Sequence, residues 1–440
     1  MAKNRLRRYN MAPELIPREA FLHYVWKFKL FELNNLMSVH NTAIELLGTG
    51  AHNHESGPDF FNASIRIDGQ FWFGNVEIHV KASDWYVHRH EEDANYIGVI
   101  LHVVWEYDVP VFRKDGSEIC CLELKNYVHT SALLSYRKIF SGGQRWILCE
   151  KHIMEVELVI VKNWLQRLYF ERLKRKTEEI LMMLAETTND WEGVLFRMLA
   201  KGYGMKLNGS AFLNLSQSID FSILRKLRSS PGGLESLFFG QAGFLIEEKE
   251  DIYYTALRTE YNYYARKFQL EPLFHSQFQF FRLRPANFPS IRISQLASLY
   301  ESRTNLFSSL MSITKVEDYY ALLKVPAASY WDTHYVFGRT SKKRQKIVSK
   351  RFMDTLLINA IIPLKYAYMS SNKLLGTDDL ENSMLSVKAE KNAVIEHFKA
   401  LGVSAENALE SQALLEMKTN YCDKKKCLNC ALGLQLMKHI

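Results

Sequence analysis

No run of eighteen apolar residues occurs in this 440-residue chain, so the sequence offers no membrane-spanning helix. Proline and glycine are scarce, at 10 and 21 residues, which excludes a collagen-like or low-complexity chain. Cysteine is rarer still: the six are Cys120, Cys121, Cys149, Cys422, Cys427 and Cys430, too few for a disulfide scaffold of this length. Walker and dinucleotide fingerprints are missing, since Gly240-x2-Gly243 and Gly202-x-Gly204 are too short to cradle phosphate. No fixed-length repeat marks a solenoid. The basic start is followed by no apolar stretch of signal type, and Glu14 and Glu19 interrupt what comes after. A reducing cytoplasm is the expected location.

Apolar residues make up 47% of the chain and charged ones 24%, enough to bury a sizeable core. Lys and Arg number 56 against 48 Asp and Glu, a net charge of +8 that is compatible with a nucleic-acid partner and with many ordinary enzymes. Two periods divide the sequence. Residues 14–150 predict an α/β domain in the order helix, strand, hairpin, short helix, buried strand. Phe21, Tyr24, Val25, Phe28 and Phe31 have helical spacing, and Asp68-Gly69 is a hairpin turn between two alternating runs. The nearly continuous apolar run VILHVVW at 99–105 predicts a strand covered on both faces. A further hairpin is expected at 109–125. Residues 151–440 recur at the helical period and predict a mainly α-helical domain that ends in the cysteine cluster.

The sharpest chemical signal is Gly57-Pro58-Asp59-Phe60 followed by Asn75 to Lys81. In a strand, Glu77, His79 and Lys81 project from one face. Two converging carboxylates, Asp59 and Glu77, would make a hard oxygen site for Mg²⁺ or Mn²⁺, with His79 or Lys81 to activate water or stabilise charge on a phosphate oxygen. A solvent-facing polar strand without chemistry accounts for the same pattern. Register poses a condition. If Asp68-Gly69 makes a plain two-residue turn, Phe60 pairs with Glu77, and Asp59 faces Ile78 and points away from Glu77. A shared site requires the chain to leave regular pairing near Pro58, or a bulge at Gly74.

An Asp after Pro, then acid-x-base on a strand, in an α-β-β-β-α-β order, resembles the restriction-endonuclease-like core of PD-(D/E)XK nucleases. The resemblance implies that Asp59 and Glu77 are metal ligands, with His79 where that superfamily carries Lys. Glu19 is the candidate for the acid its first helix often carries, although a place in the first turn is better explained by the helix dipole. Over most of its length the chain also resembles an uncharacterised bacterial family of unknown function, through HNHESGPDFFNASI (52–65), GNVEIHVKASDW (74–85), VILHVVWE (99–106), RLRPANFPSIRISQLA (282–297) and YCDKKKCLNCALG (421–433).

Eight of the fourteen histidines, His23, His40, His52, His54, His79, His88, His90 and His102, fall in the first 102 residues, a possible nitrogen-rich transition-metal site. His102, inside an apolar strand, reads as a core histidine. Loop residues His52 and His54 are placed to meet substrate phosphate or solvent. Cys422, Cys427 and Cys430 supply three soft ligands, with Cys149 or His439 as the fourth, for Zn²⁺ first and an iron–sulfur cluster second. Lys424, Lys425 and Lys426 are expected to lower the thiol pKa. Arg282 and Arg284, with the run Lys342, Lys343 and Arg344, are candidates for DNA or RNA phosphate. That run is expected to open a helix, whose wet face would explain it equally. The expected function is metal-dependent phosphodiester hydrolysis of nucleic acid; the alternative is a non-catalytic nucleic-acid- or protein-binding protein with a structural metal knot.

Overall fold

The computed structural model describes residues 16–53, 55–140, 145–374 and 376–438. Helix α1, Glu19–Lys27, buries Phe21, Leu22, Val25 and Trp26, an apolar stripe at helical spacing. It ends before Phe31, the last residue of the helical spacing, because the chain turns left-handed at Lys29, with φ 52°. Strands follow at Leu36–Met37 (β1), Ala43–Gly48 (β2), Ala51–His52 (β3), Phe60–Ile67 (β4) and Gln70–Lys81 (β5). After a short helix α2, Asp84–Val87, come β6, Val99–Glu106, and β7, Cys121–Glu123. The sheet order is β1-β2-β4-β5-β6-β7, with β3 beside β4. Neighbours are antiparallel from β1 to β5, whereas β5, β6 and β7 run parallel. Between 109 and 125 the expected hairpin shrinks to one antiparallel bridge, Phe112 to Glu118, and β7 joins β6 instead.

Register decides the site. Asp68 and Gly69 both have positive φ, 49° and 77°, as a type I′ hairpin turn requires, and Ile67 pairs with Gln70. The pairing then slips: Ala63 stands opposite Gly74, but Phe60 stands opposite Val76 rather than Glu77. The extra residue lies in β4, where Asn62 takes φ 56° and its N–H is accepted by the Asn75 side chain at 3.3 Å. Asp59 therefore comes level with Glu77. The bulge sits across from Gly74 rather than on it. Gly74 is needed for another reason: a Cβ there would lie 2.4 Å from Ile100 Cγ2 and 2.7 Å from the Gly98 carbonyl oxygen. Gly74→Ala is expected to cost about 1–3 kcal/mol of stability through overpacking, read from urea denaturation. A change under about 0.5 kcal/mol, as at ordinary surface positions, would contradict that packing.

Parallel pairing sets Glu77 beside His102 and His79 beside Val104, all on one face; Val76, Ile78, Leu101 and Val103 occupy the other. Trp85 of α2 packs with Tyr96, Val104, Ile119 and Cys121 in a buried cluster. That cluster anchors the loop between β5 and β6.

The chain forms two compact units. The first runs to Trp164 and includes Ala400–Val403 and the residues from Met417 onward; the second is Leu165–Lys399 with Ser404–Glu416. The expected boundary at 150 thus lies inside the first unit, and the cysteine-bearing segment folds with the sheet. The second unit is mostly helical, with one two-stranded hairpin of His334–Val336 and Arg339–Thr340. The basic run after Ser341 does not open a helix. It is irregular because the helix N-cap is Ser349, whose hydroxyl accepts the Phe352 N–H, and the helix is Lys350–Leu356. Among the described residues no helix is long and apolar enough to cross a membrane.

Candidate metal centre

The loop before β4 is held by Asn53, whose side-chain amide donates to the carbonyls of Glu55, Ser56 and Pro58 at 3.1–3.2 Å. Its backbone N–H also donates to the Asp59 carbonyl at 2.7 Å. Asp59 is thus fixed from both sides. Its N–H donates to Glu77 Oε2 at 3.1 Å, and its own Oδ2 accepts the Ile78 N–H at 3.0 Å. The two acids meet through this exchange.

Helix α1 brings two more groups. His23 Nε2 lies 3.2 Å from Asp59 Oδ2 and 3.8 Å from Glu19 Oε1. Ligand atoms of Glu19, His23 and Asp59 all fall within 4.8 Å of one another. Glu19 therefore does more than face the helix dipole. The i, i+4 spacing of Glu19 and His23 puts both on one helix face and is the signal that could have pointed to this pair.

On the other side of Glu77, three imidazoles gather. His79, His88 and His90 form a second group within 4.8 Å. His79 Nε2 is 3.1 Å from His88 Nδ1 and 3.5 Å from Glu77 Oε1, while His90 Nε2 is 3.3 Å from that same oxygen. Four ligands at about 2.0–2.1 Å from one tetrahedral ion stand roughly 3.4 Å apart, close to these three separations, although the group within 4.8 Å is the three imidazoles without Glu77. The His88 and His90 rings come from the turn after α2, which the buried Trp85 holds; the His90 ring stacks on Tyr96 at 3.7 Å.

Behind the ligands, His79 Nδ1 is 2.9 Å from Nε2 of the fully buried His102. A ligating His79 would carry its proton on Nδ1 and donate it there, the usual orienting contact for a metal-bound imidazole. His102 is a core histidine, as expected, and also the partner that aims His79. Burial pushes the His79 imidazole down to about 2 and that of His102 to about 3, so both are neutral, as a metal ligand and its orienting partner must be. Burial and the nearby Asp59 charge push the Glu77 carboxyl well above its ordinary value. For His23, burial opposes protonation, but the hydrogen bond and charge of Asp59 leave its pKa raised. The centre is rich in acid and poor in fixed positive charge.

Other expected residues fall elsewhere. Lys81 shares the Glu77 face but is exposed at the strand end, where its charge acts on Asp108. His52 stacks on Phe60 at 4.7 Å; His54 and His439 lie outside the described residues. His40 pairs with Glu118 at 2.8 Å.

In the same unit Cys149, Cys422, Cys427 and Cys430 line one cavity of about 10 Å³. Burial pushes the Cys149 and Cys427 thiols up to about 12 and raises those of Cys422 and Cys430 as well. The three lysines Lys424–Lys426 point to solvent and do not lower the thiols as the sequence suggested. In the second unit, Arg282 and Arg284 line a cavity of about 930 Å³. Lys342, Lys343 and Arg344 do not; they are exposed on the irregular stretch before Ser349.

Residues 19–393 match the model of a family described as Protein of unknown function (DUF2851). No curated protein and no solved structure matches the chain.

Proposed function

The chain belongs to this family, and from the geometry of the centre we infer that it is a metal-dependent hydrolase of phosphodiester bonds in nucleic acid. The observation that carries this reading is the β4 bulge, which sets Asp59 level with Glu77 between the Glu19–His23 pair and the three-imidazole group. The order helix α1, five antiparallel strands of which β2, β4 and β5 are the long ones, helix α2 and parallel strand β6 supports the likeness to a PD-(D/E)XK core. Glu77, His79, His88 and His90 would hold one ion, and Glu19, His23 and Asp59 offer a neighbouring position. Imidazole donors favour Zn²⁺, Fe²⁺ or Mn²⁺ over Mg²⁺. The bound ion would lower the pKa of a water molecule, whose oxygen attacks phosphorus while the P–O bond to the leaving sugar oxygen breaks. Since Lys81 lies at the exposed strand end, water activation falls to the metal.

The test is cleavage of labelled single- and double-stranded oligonucleotides with Mn²⁺ or Zn²⁺. Cleavage should vanish with a chelator and fall at least about 100-fold in His90→Ala, a loss comparable to that of metal-supporting groups elsewhere. Full activity in that variant would remove the imidazole group from the reaction. The second reading, a non-catalytic binding protein with a structural metal knot, is favoured by the four cysteines on one cavity. It predicts salt-sensitive binding of the strands without cleavage.

A further inference from the structure

We propose that the large cavity of the helical unit binds a phosphate-bearing organic ligand of nucleotide size. This does not rest on the hydrolase reading. The cavity measures about 930 Å³, within the range of small-molecule sites. Lys201, Lys206, Arg282, Arg284, Arg292 and Arg351 line it. The one lining carboxylate, Glu179, is held by a seventh cation, Lys176, at 3.1 Å. A concave surface with this imbalance concentrates anions.

Arg292 shows that the site is built rather than incidental. Its residue is 5% exposed, yet its fork meets only neutral groups: Nη1 donates to Gln295 Oε1 at 2.8 Å and Nη2 to Asn287 Oδ1 at 2.7 Å. The guanidinium lies 3.6 Å over the Phe352 ring, and its Nε has no hydrogen-bond partner. Burial lowers its pKa to about 10, which leaves it charged at neutral pH. A buried cation normally has a paired anion, and none of the described residues supplies one to this group by ion pair. A second buried arginine, Arg172, donates to Asn359 Oδ1 at 3.0 Å, and Asn359 itself lines the cavity.

The chemistry of the walls narrows the ligand. Guanidinium forks match phosphate oxygens two at a time, and several of them suit a multiply charged group better than a lone carboxylate. Met183, Met198 and Met205 line the cavity as well and give a soft apolar wall that accepts a flat ring. A nucleoside polyphosphate has both parts. The same phosphate chemistry arises from a free nucleotide or from a nucleotide within a strand.

The experiment is calorimetric titration of the full chain with ATP, adenosine and a short single-stranded oligodeoxynucleotide, without divalent metal. ATP should bind saturably and adenosine should not. The double variant Arg284→Ala/Arg351→Ala, both at exposed positions, should weaken ATP at least about 10-fold with an unchanged melting curve. Glu77→Gln should leave ATP binding as it is, which separates this site from the metal centre. An oligonucleotide that binds more tightly than ATP, and is lost in the double variant, supports the site with a strand as the source. One that binds no more tightly supports a free nucleotide. The proposal is overturned if neither phosphate ligand saturates below about 1 mM, if adenosine binds as well as ATP, or if the double variant binds ATP normally.

Discussion

Glu77→Gln is expected to abolish metal binding at the centre while leaving the metal-free protein as stable as before, or more so. Glu77 is 4% exposed and sits beside Asp59, with burial and that charge raising its pKa. Such a carboxyl contributes stability that is present below its unfolded pKa and is lost as pH rises through the folded value. A neutral glutamine keeps an oxygen for the Asp59 N–H and removes that loss. The metal-bound state responds the other way. A ligand that binds only the folded chain stabilises it by about 2.7 kcal/mol at a hundred times its dissociation constant, and the variant forfeits this. Melting curves with and without Mn²⁺, which the soft thiols of the cysteine cluster do not select, therefore separate the two effects: the wild-type midpoint should climb with metal and the variant midpoint should stay flat. Wild-type binding should also release a proton, because Glu77 must ionise to ligate, so affinity should rise with pH in the neutral range. A metal-dependent midpoint in Glu77→Gln would show that the carboxylate is not a ligand.

Much of this centre was legible in the sequence, and what was hidden follows from backbone geometry. The alternation Glu77, His79, Lys81 gave the face, and the apolar run at 99–105 gave the covered strand beside it. Plain pairing from Asp68-Gly69 would have turned Asp59 away from Glu77. One extra residue near Asn62 reverses that; asparagine tolerates the left-handed region, but that tolerance alone does not mark a bulge. Crowding of histidines was visible, but the His88–His90 pair acts through a turn anchored by Trp85, a packing event with no local signature. Spacing grouped Cys422, Cys427 and Cys430, and Cys149, one of two candidates for a fourth donor, joins them at one cavity only through the fold. In the helical unit the basic run 342–344 drew attention by its density. Of the arginines that line a cavity, Arg282 and Arg284 were already phosphate candidates, and the tertiary fold brings Arg292 and Arg351 to the same cavity.

Cys427→Ser is expected to lower the melting temperature by on the order of 10 °C and to release bound metal. Neutral thiols in one small cavity pack as hydrophobic groups, and an ion that displaces their protons there would add its binding free energy to folding. A loss of about 4 kcal/mol, at roughly 2–4 °C per kcal/mol for a unit of this size, gives the stated shift. The turn that carries Cys427, residues Cys427–Asn429, packs against α1, the helix that presents Glu19 and His23. The helix after it, Ala431–Lys438, is held so close that a Cβ on Gly433 would lie 2.0 Å from the Cys427 carbonyl oxygen. Loosening the turn should therefore also weaken metal binding at the distant acidic centre. The spacing of the sulfurs bears on the metal. One Zn²⁺ with bonds of about 2.3 Å would hold its sulfurs roughly 3.8 Å apart. Among the described residues, no three of these cysteines have sulfurs within 4.8 Å of one another. A bound ion would have to draw the sulfurs in, and the cavity among them, about 10 Å³, has room for about one small atom and not for a polynuclear cluster, so zinc is the expected finding and iron with visible absorbance would reverse that choice. A purified chain with neither metal, and a Cys427→Ser variant that melts like the wild type, would leave the four thiols as ordinary packing.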